Sequence, residues 1–526
     1  MLLLKTRSDL IAWRHACAPT GLHFVPTMGA LHDGHLRLIQ RAARPRRWGT
    51  PTVLVSVFVN PLQFGPGEDF ARYPRRLQAD GELALAAGAA AVFAPSVEDI
   101  YPRGDREITR VLPPASLLSS LCARHRPGHF EGVATVVARL LALVRPERLF
   151  LGEKDWQQLV ILRRMVADLG WPVSLEGMAT VREADGLAQS SRNAYLTPQE
   201  RLQARGLPAA LAACAAEAVD GQAAETLLRD LEQRLEQHAL RTEYVALVHP
   251  TTLSPLDRLG GLALLAAAVR CGSTRLIDHA FLMARAPIIA IDGPAGAGKS
   301  TVSRALAQRL GLTYLDTGAM YRALTWWVLR QGIHPAEPAA VAALLEGLDL
   351  DLQTDGQGQP RILINGHDVT SAIRDPEVTA VVSTVASHPC VRESLTALQR
   401  RLGERGGLVA EGRDIGTAVF PEAECKIFLT ASPAERARRR AEDLRHRGYA
   451  APGLDELERQ IAERDAMDSS RAVAPLRQAP DAVELITDGM DIGAVIDAME
   501  DAFRAKVAEE AWPAPQRDPL PSGGGS

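Results

Sequence analysis

The sequence predicts an α/β protein with more than one domain, and three observations support this. The chain has 526 residues, whereas a single domain usually has roughly 50 to 250. Short apolar runs that favour strands alternate with helical patterns through the first half, as in a parallel sheet covered by helices. The alternation restarts with an apolar run directly after Pro287. We therefore expect an α/β domain in each half.

The elements of the first half follow in order along the chain. The predicted strands and helices are strand 52–59, helix 77–87, strand 91–94, helix 133–144 and strand 148–151. From about Thr180 the pattern changes to Ala-rich helices and longer strands, namely helices 206–219 and 223–237 and strands 244–248 and 262–269. This change predicts a smaller α+β domain behind the first sheet.

These patterns divide the chain into four predicted segments. They are a Rossmann-like domain over 1–178, a small α+β domain over 179–285, a second α/β domain over 286–512 and a tail over 513–526. The tail is rich in Pro, Gly and Ser and has little to bury, so we expect it to be disordered.

Composition excludes several classes of protein. Because no run of about 18 uncharged apolar residues occurs, no membrane partner is expected. The formal net charge of -4 opposes a nucleic-acid-binding surface. The cysteines form no C-x-x-C pair, so buried thiols are expected rather than a zinc site or disulfides; they are Cys17, Cys122, Cys214, Cys271, Cys390 and Cys425. The apolar start is too short for a signal peptide, which predicts a cytoplasmic location.

A phosphate-binding loop stands at the start of the second half. The sequence from Gly293 to Ser300 fits G-x-x-x-x-G-K-[ST], between a predicted strand 288–291 and a predicted helix 301–310. Lys299 is expected to neutralise the β- and γ-phosphates of ATP, and Ser300 to bind Mg²⁺. The residues predicted to bind ATP here are Gly293, Gly296, Gly298, Lys299, Ser300 and Thr301. An ordinary glycine-rich turn is the alternative, which the lysine, the hydroxyl and both flanking elements oppose.

The N-terminal half carries an H-x-G-H pattern, His32 to His35, at the start of a predicted helix. Both imidazoles would lie at a helix N-terminus, where backbone N–H groups also point. The pattern is typical of enzymes that attack the α-phosphate of ATP, although two histidines at this spacing can also be incidental surface residues.

Further motifs place this pattern in a family context. They are the segments 58–64, 125–133, 152–158 and 182–193. Together with H-x-G-H they resemble pantothenate synthetases over nearly all of residues 1–285. The resemblance implies that ATP and pantoate form a pantoyl adenylate, which β-alanine then converts to pantothenate and AMP. The ATP-binding residues that it implies are Met28, Gly29, His32, His35, Gly152, Lys154, Asp155, Val181, Ser190, Ser191 and Arg192, and the catalytic ones among them are His32, His35, Lys154 and Arg192.

The resemblance also implies a pantoate site. Gln63 and Gln158 would hydrogen-bond pantoate as neutral amides, with Met28 and Phe64 as apolar walls. Asn60 and Asp155 are expected nearer the nucleotide, although Asp155 fits a helix N-cap almost equally well. Gln189 stands where the family usually has Met, a departure that leaves the implied ligands intact.

Motifs of the second half resemble those of bacterial cytidylate kinases over residues 287–505. They are the segments 314–322, 411–416, 435–440 and 463–471. The resemblance implies phosphoryl transfer from ATP to CMP or dCMP. The CMP-binding residues that it implies are Asp316, Thr317, Arg322, Ser383, Arg392, Arg413, Asp414, Arg464, Asp468 and Arg471. The basic run Arg436 to Arg447 is interpreted as a mobile lid, and a solvated helix face paired with nearby acids is the alternative.

Two rival hypotheses remain open at this point. The first half could be another H-x-G-H nucleotidyltransferase, including a tRNA-charging enzyme, which the absence of a basic RNA surface opposes. One half could instead have lost catalysis and serve only in binding or oligomerisation, which the intact motifs oppose. The expected partners are ATP, pantoate, β-alanine and CMP or dCMP, with Mg²⁺ accompanying ATP and a homodimer possible through the first half.

Overall fold

The computed structural model describes residues 2–16, 21–46, 49–104, 107–354, 360–446, 450–471 and 473–513. Cys17, Arg447 and the predicted disordered tail from Ala514 onward lie outside this range. The chain divides into two compact units. The first unit comprises Met1–Ala284 and Arg504–Pro513, and the second unit begins at Arg285 and runs to Phe503.

The first unit is built on a sheet of six parallel strands in the order β1-β4-β3-β2-β5-β6. The strands are β1 Leu3–Leu4, β2 Leu22–Thr27, β3 Thr52–Val57, β4 Ala91–Phe93, β5 Arg148–Gly152 and β6 Ser174–Met178. The helices of this part are α1 Arg7–Ala16, α2 Asp33–Ala42, α3 Leu77–Ala86, α4 Val97–Ile100, α5 Ala115–Leu118, α6 Leu121–His125, α7 His129–Val144 and α8 Trp156–Asp168. Apolar residues dominate the central strands because helices cover both faces of a parallel sheet.

A smaller α+β part follows within the same unit. Its helices are α9 Pro198–Ala204, α10 Gly206–Glu217 and α11 Ala224–Gln237, and its antiparallel strands are β7 Arg241–Val248, β8 Leu262–Cys271 and β9 Thr274–Met283. The central strand, β8, is buried along its length except at Arg270. Helices α10 and α11 bury Leu211 and Leu231 in the core that this sheet shares.

The boundary of the first unit differs from the sequence-based one at the C-terminal end. Residues Arg504–Pro513 belong to the first unit, whereas the second domain was predicted to extend to residue 512. Val507 and Ala508 have no exposed surface, and Ala508 belongs to the main core of the first unit. These two small apolar side chains carry no motif, so nothing in the sequence pattern indicates this packing.

The second unit contains a sheet of five parallel strands in the order β11-β15-β10-β16-β17 and a small antiparallel sheet, β12-β13-β14. The strands are β10 Ile288–Asp292, β11 Thr313–Asp316, β12 Leu350–Thr354, β13 Pro360–Ile364, β14 His367–Asp368, β15 Leu408–Gly412, β16 Cys425–Thr430 and β17 Val483–Ile486. The helices are α12 Lys299–Leu310, α13 Thr317–Arg330, α14 Pro338–Leu345, α15 Pro376–Ser387, α16 Pro389–Leu402, α17 Pro433–His446, α18 Leu454–Ser469 and α19 Ile492–Lys506.

The predicted fold class is confirmed in both halves of the chain, since each unit has a parallel sheet with its own helices. Among the described residues, no helix is long and apolar enough to cross a membrane.

Candidate active sites

The first unit contains a cavity of about 620 Å³ beside the carboxyl ends of β2, β5 and β6. In a parallel sheet this edge is where ligands usually bind. The lining includes every predicted ATP- and pantoate-binding residue except Gly29; these are Met28, His32, His35, Gln63, Gly152, Lys154, Asp155, Gln158, Val181, Ser190, Ser191 and Arg192. Segments that are far apart in sequence therefore converge on one space.

His32 and His35 lie at the N-terminus of α2, with His32 at the N-cap position. Their ring centroids are 4.2 Å apart. Burial, with His32 beside it, lowers the pKa of His35 to about 3, so its ring is neutral near pH 7. The backbone N–H of His32 donates to Nδ1 of His35 over 3.4 Å. The neutral ring of His35 therefore carries its proton on Nε2, which makes that atom a hydrogen-bond donor.

Gln189 connects the start of α2 to the loop that bears Ser190 and Ser191, which we call the serine loop. Its Oε1 accepts the backbone N–H of Gly34 over 2.8 Å, and its Nε2 donates to the Asp33 carboxylate over 3.1 Å. The one departure from the family pattern thus lies against the H-x-G-H motif itself. Its side chain holds the loop that bears Ser190 and Ser191 close to the histidines.

Arg192 is fixed by a carboxylate that sequence reasoning did not single out. Its Nε and Nη2 donate to the two oxygens of Asp69 over 3.0 and 2.9 Å. The hydroxyl of Tyr73 lies 3.3 Å from the hydroxyl of Ser191. Both Asp69 and Tyr73 line the cavity. Neither residue belongs to a recognisable motif, so only the fold brings them to the serine loop.

Asp155 is buried beside Lys154. Burial raises the pKa of its carboxyl, but the charges of Lys154 and Arg192 outweigh this, and the net shift is downward. Asp155 occupies the N-cap position of α8 without a capping hydrogen bond from its side chain. Asp155 is thus the N-cap residue by position, as the alternative expects, but its side chain does not cap the helix, and its ionised carboxylate lines the cavity.

Gln63 is held at the cavity by its neighbours. Its Nε2 donates to the Met28 sulfur over 3.2 Å, and its Oε1 accepts from the Asn60 amide over 3.1 Å. Asn60 is only 1% exposed, and its oxygen already accepts from the hydroxyl of Tyr101. Asn60 still lines the cavity and also supports Gln63, so the expectation that it meets the nucleotide stays a prediction.

Two predicted residues, Phe64 and Gly29, do not line the cavity. Phe64 is absent from the lining, and its ring packs edge-on against Phe70 at 5.2 Å, so it is not the expected apolar wall. Gly29 adopts a φ of +85°, and a Cβ there would lie 2.9 Å from the Asp80 carboxylate. Gly29 thus shapes the turn before α2 rather than facing the cavity.

In the second unit the predicted phosphate loop connects β10 to α12, as the motif requires. Gly298 has a φ of +86° and is the N-cap residue of α12. Lys299 is buried, and its Nζ donates to the carbonyl oxygens of Gly293 and Pro294, both over 2.8 Å. Burial and the charge of Arg413 lower the pKa of Lys299. The ammonium is thus held within the curve of the loop.

Two carboxylates lie at the phosphate loop, one bonded to the loop hydroxyl and one at the end of the preceding strand. The Ser300 hydroxyl donates to Oε1 of Glu411 over 2.5 Å, and the Tyr314 hydroxyl donates to the same oxygen over 2.8 Å. Asp292, at the end of β10, accepts the backbone N–H groups of Ile415 and Gly416, both over 2.7 Å. Burial raises the pKa of Asp292 to about 6.

The predicted CMP-binding arginines form a cluster of like charges. Burial and the neighbouring Arg413 lower the pKa of Arg464, and burial also lowers that of Arg471. Nε of Arg464 is buried and has no hydrogen-bond partner among the described residues, whereas Nη2 of Arg471 makes only an ion pair with Asp468, over 3.5 Å. Burying like charges together costs free energy. A buried positive group with a free donor is therefore suited to a bound anion.

Acidic residues orient part of this cluster. Arg413 donates to the Asp468 carboxylate over 2.9 Å, and Arg392 pairs with Asp414 inside the protein. Arg322 pairs with Asp316 over 3.1 Å.

The remaining predicted contacts lie on two helices. The Thr317 hydroxyl, at the start of α13, donates to the carbonyl of Glu411 over 2.7 Å. Ser383 lies half-buried on α15.

The basic run forms helix α17 and has two different faces. Arg438 is exposed and pairs with Glu435 and Glu442 over 2.8 and 2.7 Å, as the solvated-face alternative expects. Arg436 and Arg439 instead donate to the phosphate-loop carbonyls of Ala295 and Ala297 over 3.3 and 3.2 Å. The exposed face fits the solvated-face alternative, and the interpretation as a mobile lid stays a prediction.

Comparison with known families matches both units. The family model for pantoate-β-alanine ligase matches residues 3–281, and the one for cytidylate kinase matches residues 289–505. A bifunctional pantoate ligase/cytidylate kinase of Prochlorococcus marinus (strain MIT 9313) is 62% identical over 94% of this chain and 97% of its own length. The chain belongs to the bifunctional pantoate ligase/cytidylate kinase family.

A second relative agrees with this assignment. The protein of the same name from Parasynechococcus marenigrum (strain WH8102) is 60% identical over 98% of this chain and 100% of its own. We therefore call the two parts the ligase unit and the kinase unit; the chain synthesises pantothenate and phosphorylates CMP. Among solved structures, pantothenate synthetase from Thermus thermophilus is 49% identical, with a TM-score of 0.49, over 53% of this chain and 98% of its own.

Proposed function

We propose that the cavity of the ligase unit is where ATP and pantoate react. The observation that supports this is the convergence of the histidine pair, Lys154 and the serine loop with both glutamines on one space. A carboxylate oxygen of pantoate attacks the α-phosphorus, and the bond from that phosphorus to the oxygen bridging to the β-phosphate breaks. His35 donates from Nε2 to the phosphate oxygens as they gain charge, and Lys154 and Arg192 neutralise the departing pyrophosphate.

The glutamines fit the acceptor because pantoate already carries one negative charge and its hydroxyls need neutral partners. The amine of β-alanine then attacks the acyl carbon of pantoyl adenylate, the carbon–oxygen bond to AMP breaks, and pantothenate leaves after the nitrogen loses a proton.

For the kinase unit we propose that the arginine cluster holds the phosphate of CMP against the phosphate loop. A phosphate oxygen of CMP attacks the γ-phosphorus of ATP, and the bond to the oxygen bridging to the β-phosphate breaks, which releases ADP. The buried Nε of Arg464, which lacks a hydrogen bond among the described residues, supports this role. Catalysis here depends on positioning and charge neutralisation rather than on a side-chain nucleophile.

We also propose that both activities use Mg²⁺ with ATP. In the kinase unit the donors present are oxygens, which suits this ion: the Ser300 hydroxyl lies 2.5 Å from Glu411, and Oε2 of Glu411 is buried with no partner among the described residues. Ser300 would hold the ion, with Glu411 beside it, and the bound ion would neutralise charge on the β- and γ-phosphates. A homodimer through the ligase unit and a cytoplasmic location stay predictions; sedimentation velocity tests the first.

Two single variants of the whole chain test the site assignments. In His35→Ala, AMP release that depends on pantoate and β-alanine should fall at least about a hundredfold, whereas ADP release that depends on CMP should stay within twofold. Lys299→Ala should give the reverse pattern. Loss of both activities in either variant, with unfolding temperatures unchanged, would contradict the assignment.

A further inference from the structure

Residues Val507–Trp512 form what we call the C-terminal segment. It belongs to the ligase unit, although the chain reaches it only after the kinase motifs. Ala508 is buried in the main core of the ligase unit, and Ala511 packs against that core. The segment is therefore an integral part of this unit's packing.

The segment holds a buried carboxylate next to a predicted catalytic lysine. Glu153 is 1% exposed, and its two oxygens accept the backbone N–H groups of Glu509 and Glu510 over 2.8 and 2.9 Å. Burial raises the pKa of this carboxyl. Glu153 directly precedes Lys154 at the end of β5, so these two hydrogen bonds fix the backbone from which Lys154 enters the cavity.

Glu510 contacts a second wall of the same cavity. Its Oε2 accepts from the Thr180 hydroxyl over 2.8 Å and lies 3.6 Å from Nε2 of His279. Its Oε1 pairs with Arg182 over 3.2 Å. Burial opposes ionisation of Glu510, but His279 and its other partners outweigh this and lower its pKa to about 2. The ionised carboxylate of Glu510 thus contacts Thr180 and Arg182, the residues on either side of Val181.

Thr180 and Val181 line the cavity, whereas Glu510 does not. The carbonyl of Val181 also accepts the backbone N–H of Gln189 over 2.9 Å, which continues the connection to the serine loop. One short segment therefore fixes two strand ends, one that carries Lys154 and one that carries Val181. No sequence motif of the ligase half includes any residue of this segment.

We propose that the C-terminal segment positions the adenylation site of the ligase unit, with Glu510 as a positioning residue that acts through Thr180 and Arg182. The proposal rests on the site roles proposed above. It adds that the ATP-binding geometry of the ligase depends on residues encoded beyond the kinase motifs. Because Glu510 does not line the cavity, it should affect the binding of ATP more than the chemical step.

The test uses full-length chains and measures both activities in each. Glu510→Ala should raise the ligase KM for ATP about tenfold, the effect of losing one hydrogen-bonded charge, with kcat changed less than twofold. Glu510→Gln keeps an acceptor for Thr180 but loses the charge, so it should restore part of the affinity. Glu236→Ala, which removes an exposed carboxylate of α11 in the same unit, is the matched control and should leave KM unchanged.

The kinase KM values for ATP and CMP serve as an internal control in every chain and should stay within twofold. The proposal is overturned if Glu510→Ala leaves the ligase KM for ATP unchanged, if kcat falls while KM does not, or if the kinase constants move equally. Failure of the site assignment itself would appear separately, as normal ligase activity in His35→Ala.

Discussion

At the scale of single residues, the environment of His35 decides its chemistry. Burial and the adjacent His32 hold its pKa at about 3, against an ordinary value of 6.5. Between these two values the unfolded chain binds a proton that the folded chain does not. The ligase unit therefore loses stability as the pH falls from 6.5 towards 3, by about 1.4 kcal/mol per pH unit for this group, and has no such penalty above 6.5.

We predict that the His35 ring stays neutral from pH 8 to pH 5. Measurement by NMR on histidine-labelled protein should find one ring signal that does not titrate in this range and that disappears in His35→Gln. Protonation of His35 should likewise not lower the ligase kcat near pH 6.5. His35→Gln should therefore leave the shape of the kcat profile near this pH unchanged. A His35 signal with a midpoint near 6.5 would contradict the neutral state of the ring, since an imidazolium donates from both nitrogens.

Asp69 is the second residue whose environment suggests a test. Its bidentate bond fixes Arg192 at the cavity, so Asp69→Asn should lower ligase kcat/KM for ATP about tenfold. The control is Asp168→Asn, which weakens the bonds from Nε of Arg164 to both oxygens of Asp168 on the exposed face of α8. Steady-state rates should change less than twofold in the control, and equal losses in both variants would show that the effect is not local to the site.

At the scale of elements, helix α17 separates two roles by its faces. Arg439 contacts the phosphate loop at Ala297 and also donates to the Thr487 carbonyl over 2.8 Å, whereas Arg438 faces solvent. We expect Arg439→Ala to raise the kinase KM for ATP about tenfold through loss of charged hydrogen bonds. Arg438→Ala on the same helix should have less than a twofold effect, because exposed ion pairs contribute little. Equal kinase constants in the two variants would refute this division of the helix.

Elements with a strong apolar pattern were predicted well from the sequence, and helix ends less so. The strand predicted over 52–59 is Thr52–Val57, and the helix predicted over 77–87 is Leu77–Ala86. Helix α7 was expected from residue 133 but begins at His129, because Gly128 and a polar first turn conceal its start from an apolar pattern. Motif residues could be found because their chemistry fixes their spacing, whereas Asp69 and Tyr73 reach the site only through the fold.

At the scale of the whole molecule, two sets of residues proposed to bind nucleotides lie in one chain. Each unit has its own parallel sheet and its own helix N-terminus at the proposed site, at α2 and at α12. Neither product is a substrate of the other reaction, so the chemistry requires no transfer between the sites. The C-terminal segment nevertheless makes the ligase unit discontinuous in sequence. The kinase motifs therefore lie between two parts of the chain that fold together as the ligase unit.

The independence of the two reactions can be measured by mixing the two inactive variants. An equimolar mixture of His35→Ala and Lys299→Ala chains contains one intact ligase site and one intact kinase site for every two chains. If the sites act independently, AMP and ADP release should each proceed at half the wild-type rate for the same total chain concentration. The same rates should result when both sets of substrates are present together, since the reactions share only ATP. A ligase rate in the mixture that falls below half when CMP is added, at saturating ATP, would instead demonstrate coupling between the two reactions.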